Sequence, residues 1–156
     1  MTLALAVALG LHQLAAIIWV GGMFFAHMVL RPAANEVVKA PDRLLLMLGV
    51  FRRFFAWVWV SILLLWGTGL WVFLVAFGGK AATHIHLMTG IAAAMTVIFV
   101  FIYVLRYRGF RRAIQGQDWT RAGSALAAIR RLIAVNLVLG LITALAGSAG
   151  RYVLLG

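Results

Sequence analysis

Apolar residues in this sequence come in long blocks, and polar residues are confined mostly to the gaps between them. Four apolar runs cover about residues 3–30, 54–77, 84–105 and 132–155. Each reaches the ~20 residues that a membrane-spanning helix needs. The pattern predicts an all-α integral membrane protein, an antiparallel four-helix transmembrane bundle forming a single transmembrane domain over residues 1–156. Pro32 and Pro41 both fall between the first two runs, where they break helices. The first run has no basic start and is too long for a cleaved signal peptide, so it reads as the first span.

Composition agrees. Apolar residues make up 65% of the 156 and charged residues only 11%. A chain this small cannot hide that much apolar surface inside itself, so lipid must cover the rest. A soluble enzyme, a disordered chain and a disulfide scaffold are excluded. The absence of cysteine excludes thiolate metal sites, Fe–S clusters and a catalytic thiol.

The net charge of +11 looks like that of a nucleic-acid binder until the charges are located. Arg31, Lys39, Arg43, Arg52 and Arg53 lie between the first two spans. Arg106, Arg108, Arg111, Arg112, Arg121, Arg130 and Arg131 lie between the last two. Lys80 and Arg151 alone fall on the other side. The positive-inside rule then makes both long loops cytoplasmic and both termini periplasmic, in a bacterial-type inner (cytoplasmic) membrane. The charge reads as topology and attraction to anionic lipid, with no nucleic-acid partner. Between residues 108 and 131 a short interfacial helix is expected, with Asp118 as its N-cap and Trp119 as an interface anchor.

Polar residues inside the spans carry the candidate chemistry, because such groups are costly in lipid and face the bundle interior. With Arg31, Arg53, Arg106 and Arg131 taken as one plane and a rise of 1.5 Å per residue, His12, Trp71, His86 and Arg151 all fall about 27–30 Å away. One distinctive side chain per helix would thus share a layer near the periplasmic face. On span one, His12, Ala16, Trp19, Met23 and His27 form a helical stripe. Small-residue faces run along His86, Gly90, Ala93, Ala94 and Val97 on span three, and along Asn136, Gly140, Thr143, Gly147 and Arg151 on span four. Small residues allow close helix packing, and they also leave room for a flat macrocycle. His84 and His86 point about 200° apart, so only one can face inward. The small-residue face selects His86.

Two inward histidines on different helices match bis-imidazole ligation of haem b iron by His12 and His86. Arg151 would pair with a propionate, Trp19 and Trp71 would line the ring, and Gly90 and Gly147 would make space. His84 and His27 are further candidate ligands, His27 lying about 6 Å from the cytoplasmic plane. Copper is the competing reading. Met23, Met28, Met47, Met88 and Met95 are soft donors, and thioether with imidazole suits Cu(I). Catalysis by side chains alone is not supported, since no acid lies within any span; an enzyme here would be a haem-dependent oxidoreductase.

The stretches LHQLAAIIWVGGMFFAHMVLRPA (Leu11 to Ala33), FRRFFAWVWVSILLLWGTGLW (Phe51 to Trp71) and RRLIAVNLVLGLITALAGSAGRY (Arg130 to Tyr152) resemble helices of the copper-resistance protein D (CopD)-like membrane proteins. The first helix is also similar to that of HemJ-type protoporphyrinogen oxidases, through His12, Trp19, Gly21 and Gly22. Those proteins open their third helix with His-x-Lys; here the sequence is His84, Ile85, His86. One resemblance implies copper uptake or tolerance, the other haem b and porphyrinogen oxidation. The residues lead to a b-type haem protein moving electrons to or from a quinone or another small redox partner, with copper transport or resistance without haem as the alternative. Substrate and oligomeric state stay open at this level.

Overall fold

The structure, a computed structural model, describes residues 2–75, 78–79 and 83–153. The side chains of Thr83 and His84 and those from residue 149 onward lie outside the described residues. Among the described residues four helices are long and apolar enough to cross a membrane: α1, Leu3–Val37; α2, Asp42–Val75; α3, Ile85–Gln115, opened two residues earlier at Thr83; and α4, Trp119–Val153. No strand occurs among the described residues. With 34 and 35 residues, α2 and α4 are about 51 Å long, well beyond the ~30 Å hydrocarbon core. The arginine-rich segments expected as loops are therefore mostly helical.

Local chemistry explains where the helices stop. Between α1 and α2, Val38 to Pro41 forms the connection; the Lys39 carbonyl accepts from the Arg43 N–H, and the Pro41 carbonyl from those of Leu44 and Leu45. Gly116 ends α3, and Gln117 takes a left-handed φ of 55°. Asp118 then caps α4, its Oδ1 accepting the Arg121 N–H at 2.9 Å. Asp118 was expected to cap a separate short helix. It caps the whole of α4, because nothing after Gly123 breaks the helical pattern. Trp119 is partly exposed at this corner.

Helices α1 and α2 pack closely, as do α3 and α4. In the first pair His12 meets Thr68, and Gly22 lies against the Phe54 ring. In the second, Met95 lies against Gly140 and Met88 against Gly147. Both sets of contacts ascend one helix while descending the other, so the helices of each pair run in opposite directions. The glycines are what permit this. A Cβ on Gly140 would stand 2.8 Å from Val20 Cγ2 and 3.1 Å from Met95 Cε.

Larger groups join α2 to α3. Phe55 stacks on Phe51 and meets Phe99, Tyr103 and Tyr107 edge-on. Trp59 packs on Phe99 and Tyr103 at 5.3 and 5.7 Å. Hydroxyls inside the spans satisfy themselves locally. Thr68, Thr89, Thr96 and Thr143 each donate to the carbonyl four residues back, the usual solution where water is absent.

Candidate functional site

His12 is half-buried at the α1–α2 interface. Its Nδ1 lies 2.9 Å from Thr68 Oγ1, and its Cε1 lies over Gly69, where a Cβ would come within 3.2 Å. Thr68 Oγ1 in turn donates to the Leu64 carbonyl. A hydroxyl has one hydrogen, and here it is committed to Leu64. The bond from the imidazole must then run from Nδ1–H to Oγ1. In that tautomer Nε2 is the acceptor nitrogen of the ring. Metal-binding histidines are held in just this way, the ring nitrogen remote from the metal donating to an outer partner.

His86 stands elsewhere. It is exposed, with its ring edge-on to Phe73 at 6.2 Å. Phe73 is five residues, or about 7.5 Å, further along α2 than Thr68. His12 and His86, expected to share a layer, thus meet α2 at points about 7.5 Å apart along its axis, and His86 is exposed where His12 is half-buried. The phase of α3 explains this. Its buried face carries the large residues Met95, Phe99 and Ile102, whereas Gly90, Ala94 and Val97 are exposed. Small residues do not compel a helix face inward when bulky apolar groups on another face can fill the core.

The remaining expected residues divide. Trp19 is buried and packs edge-on against Phe99. Trp71 is 37% exposed. Gly90 has open space where its Cβ would be, while the Met88 side chain lies against Gly147. On α1 the buried stripe is Ala15, Trp19, Met23 and Ala26. His12, Ala16 and His27 border that stripe and are partly buried. His84 sits in the first turn of α3 and Arg151 in the last turns of α4, with both side chains outside the described residues.

Among the described residues no three of His, Cys, Asp and Glu stand together as a metal cage. Thioethers are better placed. Met23 and Met95 are buried, and Met88 and Met95, seven residues apart, rest on Gly147 and Gly140 of α4. Val20, one turn from Met23, touches the same Gly140 position. Methionine sulfur therefore follows one interface down the bundle. In the sequence, the seven-residue spacings of Met88 and Met95 and of Gly140 and Gly147 carry the signal for this interface.

The family model for copper resistance protein D matches residues 48–149, about two thirds of the chain. The chain belongs to the copper resistance protein D family. The match begins within α2 and runs through α3 to the late turns of α4, so it includes the Met–Gly interface and Thr68. His12 precedes it, on the helix whose likeness to this family, and to HemJ-type proteins, rests on the sequence. No curated protein and no solved structure matches this CopD-family chain.

Proposed function

We propose that this CopD-family membrane protein handles copper, taking Cu(I) as cargo on imidazole and thioether donors, with His12 as its anchoring ligand. The observation that carries the reading is the His12–Thr68–Leu64 chain of hydrogen bonds, which presents Nε2 as a metal-ready lone pair. Cu(I) is soft, and methionine sulfur with imidazole suits it. Met88, Met95 and Met23 would pass the ion along the α1–α3–α4 interface by exchange of one thioether for the next. Weak, scattered donors suit transit better than storage. The termini and His12 belong to the periplasmic side of an inner membrane on this reading, which rests on the distribution of arginine.

The test is Cu(I) binding by the detergent-purified chain, measured by competition with a chromophoric chelator and repeated with His12→Ala. Retention of copper by the wild-type chain and its loss in the variant are expected. Unchanged binding in the variant would overturn the role of His12. One haem b per chain in a pyridine haemochrome assay, bleached in the same variant, would replace copper by haem as what His12 holds.

A further inference from the structure

A half-open cavity of about 320 Å³ lies between α1 and α4, lined by His27, Arg31, Ala127, Arg130, Arg131 and Ala134. Beside it is a second concavity, sharing Arg31 and Arg130 and adding Arg43. Four guanidinium groups from three helices thus converge, and neither concavity is lined by a carboxylate. Arg43 has only the Val38 carbonyl, at 3.4 Å. Like charges gathered this closely, at the end of an apolar span, repel one another unless an anion sits among them. Guanidinium forks match the paired oxygens of a phosphate.

The surroundings indicate where that phosphate comes from. Arg131 heads a helical stripe on α4 that continues through Val135, Val138 and Ile142, all exposed. On α1, Met28, Phe24 and Ile17, which follow Arg31 into the span, are also exposed. Two apolar tracks therefore lead from the arginines along the membrane-facing surface, as acyl chains below a headgroup require. Basic pockets between membrane helices on the cytoplasmic side are suited to anionic headgroups.

We propose that this cavity is a binding site for one anionic phospholipid, its phosphate held by Arg31, Arg130 and Arg131 and its acyl chains laid along α1 and α4. Dioctanoyl phosphatidylglycerol is the probe, titrated against the full chain in a mild detergent and read by native mass spectrometry. Dioctanoyl phosphatidylcholine and inorganic phosphate are run in parallel. The anionic lipid should bind with defined stoichiometry and the other two far more weakly. R130Q/R131Q should weaken it roughly thirtyfold, at about tenfold or less per arginine. R108Q/R112Q removes the same charge from exposed positions outside the cavity and should leave affinity unchanged. If the double exchange in the cavity prevents folding, Arg31→Gln on α1 carries the same expectation. Equal weakening by R108Q/R112Q would reduce the effect to general surface attraction and overturn the site. Absence of phosphatidylglycerol binding would do the same. Inorganic phosphate binding as tightly as the lipid would assign the cavity to a free anion and overturn the lipid.

Discussion

His12 and Thr68 stand 56 positions apart in the sequence and 2.9 Å apart across the α1–α2 interface. Because the Thr68 hydroxyl donates to Leu64, it can only accept from the imidazole. Thr68→Val removes that acceptor while keeping the shape. Cu(I) affinity should fall about 10- to 100-fold, the usual effect of losing an outer partner of a metal-binding histidine. Thr68→Ser, which keeps the hydroxyl, should restore most of it. Chelator competition on the two variants is the check, and equal affinities in both would remove the relay from the argument.

His86 is exposed and meets α2 about 7.5 Å along its axis from the point where His12 does. His86→Ala should leave both folding and Cu(I) affinity within about twofold of wild type, as surface exchanges generally cost little. A variant that lost its metal as completely as His12→Ala would return His86 to the site.

Gly140 and Gly90 make a matched pair. A methyl group at 140 meets Val20 and Met95, whereas at 90 it meets nothing within 4 Å. Gly140→Ala should destabilise the bundle by about 1–3 kcal/mol through overpacking. Gly90→Ala should be neutral or stabilising, by up to about 1 kcal/mol, because alanine is the better helix former. Thermal unfolding in one detergent compares them, and Val20→Ala should relieve part of the Gly140→Ala defect.

Asn136 is 1% exposed, and its Oδ1 has no hydrogen-bond partner. An unmade bond of that kind costs about 1–3 kcal/mol. Asn136→Leu, similar in size and apolar, should raise the unfolding temperature. A fall instead would mean that the amide oxygen has a partner when the protein is in the membrane.

Phe55 holds α2 to α3 through three aromatic neighbours on α3, Phe99, Tyr103 and Tyr107. Phe55→Ala should cost about 3–5 kcal/mol, and Phe55→Leu less. Denaturant or thermal unfolding reads both.

The number of helices and their approximate spans were legible in the sequence because apolar runs of about 20 residues have few other uses. The face of α4 was legible too: Asn136, Gly140 and Gly147 do turn toward α3 or the core. The offset of His12 and His86 along α2 was not, because the four arginines do not mark one plane. Measured from the His12–Thr68 bond, Arg31 is 19 residues away on α1 but Arg53 only 15 away on α2, an offset of about 6 Å. Arginine can sit that much deeper because its long apolar stem reaches back to the interface. Helical phase failed on α3, where a row of large residues outweighs the row of small ones. The arginine cavity escaped notice because it joins Arg31 to Arg130 across 99 positions, and in the sequence each belongs to a different basic cluster.

The tight α1–α2 and α3–α4 pairings leave the aromatic groups around Phe55 and Trp59 to carry much of the junction between halves. Each half is a hairpin with its own interface already complete. A chain divided at Gly78–Gly79, where both glycines take positive φ, would keep both hairpins whole and ask the two pieces to find each other through those rings and the Val20–Gly140 contact. Assembly of this protein is thus closer to the docking of two finished parts than to the simultaneous gathering of four helices.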